Sequence, residues 1–433
     1  MNSGMTAVAE RGWLRTLLGQ PALLGIWCIV ASFGTYACMY GFRKPFTAGT
    51  YLEEPYGVGT KAWLVMAQVL GYTVSKFVGI RVIAAMPPSR RAATLLGLIG
   101  VAELALVLFA VMPRPYDVAC LFLNGLPLGM VFGLVLGFLE GRRMTEAFVA
   151  GLCASFIVAD GVAKSVGASL LAAGVSEAWM PAAAGGLFLL PLVGFVVMLG
   201  MIPPPTAEDV RERSVREPMS REDRVRWWRR HGWGLGLLSV AYLMVTVLRS
   251  LRADFAPELW TALGTTGQPG VFARSEIWVA LGVFLVSGSL VVVRNNRRAF
   301  NLAVGCSLAG LGLVGLALIG LKAGVLPGFA FMVLLGVGLY LPYVMVHTTL
   351  FERLIALTRD KGNLGYLMYL ADASGYLGYV AVMFGKSWFR PAGDFLTFFS
   401  GASGWLAGFA GAAFAVAWWR FSRVGSDPSR GSG

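Results

Sequence analysis

Four cations stand in or at the ends of long apolar runs: Arg43, Lys76, Lys164 and Arg249. An ionised side chain inside hydrocarbon costs about 2.5–3.5 kcal/mol or more, and is usually kept for function. Cations turned toward one cavity would attract an anion. Tyr36, Tyr40 and Arg43 are spaced i, i+4, i+7, so they share one helical face. Arginine presents a planar fork that matches phosphate or carboxylate, and phenol hydroxyls add hydrogen bonds. The same triplet also suits a Tyr/Arg anchor at a membrane edge, since Pro45 can end the helix.

Lys76 lies within Gly71-Tyr72-Thr73-Val74-Ser75-Lys76-Phe77. It can snorkel toward the near interface, pair with Glu103 or Asp160, or face a substrate. Lys164 follows Asp160 by four residues, which places the two on one face as a structural pair or as a pair that an anion can break. Tyr242 precedes Arg249 by two turns on the same face. Arg252 is one turn beyond Arg249 and free to snorkel outward, and a pair between Arg249 and Asp254 is poorly spaced. Asp160, Asp372 and His347 are acids and an imidazole within apolar runs, either proton carriers or satisfied polar groups.

These residues are carried by a chain that is 57% hydrophobic and 14% charged, with a mean hydropathy of +0.68. Soluble domains hold about 25% charged residues. Apolar stretches of roughly 20 residues recur along the whole length and predict spanning helices. Twelve are predicted: 22–48, 61–84, 92–112, 116–138, 147–173 and 179–201, then 233–258, 275–293, 299–319, 326–350, 363–385 and 395–421. The polar segment 202–232 between them opens with Pro203-Pro204-Pro205 and carries eight arginines beside Trp227 and Trp228. It reads as a linker resting on an anionic lipid surface.

The net charge of +13 does not point to nucleic acid, because the basic residues gather in alternate loops on one side. Arg81, Arg90 and Arg91 mark one such loop, and Arg142 with Arg143 the next. Arg294, Arg297 and Arg298 mark a third, and Arg353, Arg359 and Lys361 a fourth. By the positive-inside rule this side, with the linker and both termini, is cytoplasmic. The first span is expected to act as the insertion signal. Glu140 and Glu352 close the fourth and tenth spans, and Ala159-Asp160 and Ala371-Asp372 follow them at one common offset, as two related halves would give. The five cysteines sit in apolar runs without a CxxC motif or a His/Cys cluster, so they read as small core residues. Walker, HExxH and GxSxG motifs are absent from the sequence, and neither an enzyme, a cofactor nor a metal site is expected.

The chain resembles the major facilitator superfamily, and within it the organophosphate:phosphate antiporters. Tyr36-xxx-Tyr40-xx-Arg43-Lys44-x-Phe46 resembles the first-helix motif of that branch, whose Arg binds phosphate. Ser75-Lys76-Phe77 resembles its second-helix motif. Leu248-Arg249 with Asp254-Phe255-Ala256-Pro257 is similar to its seventh-helix motif, whose Arg is the second phosphate ligand. Gly375-Tyr376-Leu377-Gly378 and Gly125-xxx-Gly129-Met130 resemble pieces of its eleventh and fourth helices. In Ala163-Lys164-Ser165-Val166-Gly167 a Lys replaces the branch's His, and Asp160 and Asp372 are additional acids.

The resemblance implies an all-α integral membrane protein with twelve transmembrane helices in two pseudo-symmetric six-helix bundles, 22–201 and 233–421. The tails 1–21 and 422–433 would be cytoplasmic. The implied activity is alternating-access transport of a small anionic solute, as antiport, by a monomer in the inner membrane. Proton-coupled symport through Asp160 or Asp372, and a non-transporting sensor, are the alternatives.

Overall fold

The structure, a computed structural model, describes residues 20–51, 59–84, 86–139, 145–204, 221–290, 292–293, 295–358, 364–388 and 395–422. Glu140, Arg142, Arg143, Arg359, Lys361 and most of the basic linker lie outside these. The architecture is entirely helical among the described residues. Helices α1 (Pro21–Tyr40), α2 (Thr60–Ala84), α3 (Pro88–Val111), α4 (Asp117–Leu139), α5 (Thr145–Ala172) and α6 (Met180–Gly200) come first. They are followed by α7 (Arg221–Asp254), the short α8 (Ala256–Ala262), α9 (Val271–Leu290), α10 (Asn296–Lys322) and α11 (Gly328–Met345). Then come α12 (Phe351–Thr358), α13 (Leu364–Trp388) and α14 (Phe395–Ser422).

Ten helical stretches are long and apolar enough to cross a bilayer, with α11 running on to Leu357 as one of them. Helices α2 and α13, each 25 residues long, are not among these ten; α2 carries Lys61, Lys76 and Arg81, and α13 carries Asp372. The burial pattern is that of a membrane protein: Leu190, Leu285 and Ile319 are exposed, while Arg43, Lys164 and Arg252 are buried. Lipid solvates the former at no cost, and the protein interior must solvate the latter. The chain is an integral membrane protein.

Helix α2 packs along α4, and α10 along α11. A Cβ on Gly71 would overlap the Phe122 carbonyl, and one on Gly125 would overlap that of Gln68. Gly310 and Gly338 face each other in the same way, each Cβ position within 2.8 Å of the other's carbonyl oxygen. Small residues let helix backbones approach where lipid supplies no hydrophobic drive. Helix α5 packs on α9, and α2 on α13, so the first and last six long helices meet along these two seams.

Three predicted spans are broken where the chain turns. Helix α1 ends at Tyr40 rather than running to 48, and Phe42 and Arg43 bond back to Met39 and Tyr40 in a tighter turn. Pro45 has no N–H to continue the ladder, and opens a 3-10 turn over Pro45–Ala48. Helix α7 stops at Asp254 rather than 258, because Pro257 would set its ring against the carbonyl four residues back. In the tenth predicted span, α11 gives way to a π turn over Val346–Leu350 and continues as α12. There His347 Nδ1 and Thr348 Oγ1 lie 3.1 and 2.9 Å from the carbonyls of Tyr343 and Val344, and side-chain bonds of this kind compete with the regular ladder.

Candidate functional site

The turn after α1 places Arg43, and two buried amides hold that turn. Gln68 Nε2 donates to the Arg43 carbonyl at 3.0 Å and to Asn124 Oδ1 at 2.8 Å. Asn124 Nδ2 donates to the carbonyls of Phe42 (3.1 Å) and Ala102 (3.0 Å). Carbonyls freed where a helix ends early must find donors when buried. Asn124→Leu would strand the Phe42 carbonyl, at about 1–3 kcal/mol, and would take from Gln68 one of its two acceptors. The expected result is a lower thermal midpoint in detergent together with weaker anion binding, since Arg43 loses its support.

Arg43 is 4% exposed, and its guanidinium lies 3.9 Å from the centre of the Tyr72 ring and 5.9 Å from that of Tyr40. Arg249, near the end of α7, is 8% exposed and lies 4.4 and 5.7 Å from the ring centres of Tyr343 and Tyr340. The Tyr72 ring that supports Arg43 meets Tyr376 of α13 edge-on, with ring centres 5.4 Å apart. Tyr36 stands back from the two guanidinium groups, edge-on to Tyr40 and packed against Phe132 and Phe156.

Among the described residues, seven Lys and Arg side chains are buried, and five of them face a carboxylate. Lys76 is bonded to Asp372 of α13, not to Glu103 or Asp160. Lys164 is bonded to Asp160, as its spacing predicts. Lys44 is bonded to Asp254 and lies 3.7 Å from Asp160, while Tyr379 donates to Asp254 at 2.9 Å. Lys61 takes Glu258 at 2.7 Å. Arg252 does not snorkel: it is 1% exposed and bonds Glu276 at 2.7 Å and the Met332 carbonyl at 2.9 Å. Residues 245–254 of α7 are all buried, so an inward acid is the available partner. Arg43 and Arg249 are the two left without a carboxylate.

Asp372 connects the remaining predicted residues. Tyr242 donates to its Oδ1 at 2.5 Å, and His347 Nε2 lies 3.3 Å from the same oxygen. The Tyr242 ring stacks on Tyr343, the ring that supports Arg249. The structure therefore places Arg43, Tyr40, Lys76, Asp372, His347, Tyr242 and Arg249 in one continuous cluster, with Asp160 and Lys164 in a second cluster built on Lys44 and Asp254. Sequence reasoning did not single out Tyr72, Tyr343, Tyr376 or Lys44 as site residues. A signal existed for two of them: Tyr72 precedes Lys76 by four residues and Tyr376 follows Asp372 by four, each on the face of its charged neighbour. No group of three or more metal-ligating side chains gathers among the described residues.

A family model described as a family of unknown function, DUF5690, matches residues 45–423. No curated protein matches the chain. Among solved structures, the D-xylose-proton symporter aligns with a TM-score of 0.60 at 11% identity, over 93% of this chain and 97% of that one. A POT family transporter in complex with thioalcohol conjugated peptide gives 0.60 at 12%, over 95% and 98%. The nucleoside transporter NupG gives 0.59 at 12%, over 93% and 100%. At these identities the likeness is one of fold: the helices adopt the arrangement seen in these three transporters.

Proposed function

The chain belongs to the DUF5690 family, a family of unknown function, and we propose that it is a secondary transporter for a small anionic solute. The observation that carries this reading is the pair of buried arginines without carboxylate partners, Arg43 from the first helices and Arg249 from the later ones. A buried cation left unpaired is costly, so a protein that keeps two of them facing one space keeps them for an anion. Tyrosine faces steady each guanidinium without neutralising it; Nε of Arg43 and of Arg249 has no partner, and Arg249 Nη2 makes only a long bond of 3.4 Å to Ser250 Oγ.

Twelve spans in two bundles, 22–201 and 233–421, would rock about this site, with the first, fourth, seventh and tenth spans lining the cavity. Segments 1–21, 202–232 and 422–433 would face the cytoplasm, and the carrier would act as a monomer in the inner membrane. The empty site holds two like charges that repel each other when the halves close on them. A bound anion removes the repulsion and draws the halves together. The loaded carrier then reorients more readily than the empty one, which favours exchange of one anion for another. A phosphate or organophosphate headgroup suits two bidentate guanidinium groups, and the first- and seventh-helix motifs resemble those of organophosphate antiporters.

Proteoliposomes loaded with phosphate are expected to take up labelled phosphate from outside, and unlabelled organophosphates added outside should compete. Purified, monodisperse protein that gives no exchange with phosphate or with organophosphates would refute this reading. A second reading, coupling of transport to protons, is favoured by the Asp372–His347 contact.

A further inference from the structure

The π turn brings His347 against Asp372 in an arrangement with one proton missing. Nδ1 lies 3.1 Å from the Tyr343 carbonyl oxygen. A carbonyl only accepts, so Nδ1 carries a hydrogen. Nε2 faces Asp372 Oδ1 at 3.3 Å and the Tyr242 hydroxyl at 3.4 Å. That hydroxyl has one hydrogen and gives it to Oδ1. Lys76 occupies the other oxygen, Oδ2. A neutral imidazole would thus point the Nε2 lone pair at a carboxylate oxygen. One proton on Nε2 turns this repulsion into an ion pair.

The pair also lies between the two arginines. The Tyr343 ring is 4.7 Å from the His347 ring and supports Arg249. On the other side, the Lys76 ammonium lies 5.3 and 4.9 Å from the ring centres of Tyr72 and Tyr376, and Tyr72 supports Arg43. The other charges on the elements packed against the π turn and α13 are engaged or distant. On α5, Asp160 and Lys164 bond each other. On α7, Arg252 bonds Glu276. On α12, Arg353 bonds Asn296 at 2.8 Å, and Glu352 also has a partner. On α10, Arg297, Arg298 and Lys322 lie at the two helix ends.

We propose that His347 and Asp372 form a proton site that loads together with the anion, so that the carrier moves one proton with its cargo. The proton is held by Nε2 and shared toward Oδ1; no bond other than this N–H is made or broken. A charge gained at His347 strengthens the hold of Arg43 and Arg249 on an anion. By reciprocity, a bound anion strengthens the hold on the proton. Loading is therefore favoured on the acidic side of the membrane and release on the alkaline side. The proton site stands on its own geometry, whereas its coupling rests on the anion reading above.

Only His231 and His347 occur in the chain, so 15N-histidine spectra of the full-length protein in lipid nanodiscs carry two imidazoles, assigned with His231→Gln. The His347 proton affinity, read by titration, is expected to fall about tenfold in Asp372→Asn and to rise about fivefold with saturating inorganic phosphate. Should Asp372→Asn fold poorly, Tyr242→Phe tests the same site, because freeing Oδ1 of its competing donor should raise the affinity. An affinity indifferent to these substitutions overturns the proton site. Phosphate exchange in vesicles without any phosphate effect on the titration overturns the coupling alone. Absence of both phosphate effects, with the Asp372→Asn shift present, refutes phosphate as cargo and the coupling with it, and leaves the proton site standing.

Discussion

Arg43→Lys and Arg249→Lys are each expected to lower phosphate exchange about 100-fold. Lysine keeps the charge, so the comparison isolates geometry. Its ammonium is a compact point charge with rotatable donors, whereas the guanidinium offers two parallel N–H groups to one oxyanion. Loss of a charge-assisted bond costs about 1.5–3 kcal/mol, and each 1.4 kcal/mol is about tenfold. The change also removes the flat group that stacks on Tyr72 or Tyr343. Labelled phosphate exchange in vesicles reconstituted at matched protein density is the measurement. Exchange within about threefold of the native rate in either variant would show that this arginine does not grip the anion. The two losses should not add, because both side chains would hold one ligand.

Glu276→Gln is expected to destabilise the protein by about 3–5 kcal/mol, the cost of breaking a buried pair from one side. Arg252 is fully enclosed, and its guanidinium lies against Gly336, where an added Cβ would come within 2.7 Å of Nη2. It cannot turn out to lipid or water once its acid is gone. Arg252→Met combined with Glu276→Leu should recover most of the loss, because an apolar replacement of a whole pair is often neutral or better. Thermal unfolding followed in detergent reads both variants. A Glu276→Gln protein as stable as the native one would mean that Arg252 is solvated by something other than this acid. The pair contrasts with Arg43 and Arg249: here the cation has its anion built in, and its role is to join α7, α9 and α11.

Much of the framework is legible in the sequence, because length and apolarity suffice to mark a spanning helix. The local pairs are legible too. Asp160 and Lys164 are four residues apart and meet on α5. Tyr40 and Arg43 share a face and remain neighbours after the helix breaks between them. What could not be read is any partner chosen across the chain. Lys76 and Asp372 are 296 residues apart, and Lys44 and Asp254 are 210 apart. Spacing along one helix carries no information about which distant helix lies opposite. Arg252 shows the converse: near a helix end, a long side chain can equally reach outward or inward, and only the position of Glu276 decides. The helix breaks at Tyr40 and Asp254 were half legible, since Pro45 and Pro257 mark the regions but not the residue at which each ladder fails.

The close approach of α2 to α4 has a mechanical consequence. Where Gly71, Gly125 and Gly129 set backbone against backbone, no layer of side chains remains to slip or repack. Two helices joined in this way bend and turn as one beam, and α10 with α11 makes another. Compliance must then reside where long side chains meet, as along α2 and α13, whose contacts are Trp63 on Phe384, Tyr72 on Tyr376 and Lys76 on Asp372. Aromatic edges can slide and an ion pair can re-form, so this seam yields more readily than either beam. The molecule is a set of stiff levers, and its soft joint runs through the charged cluster itself.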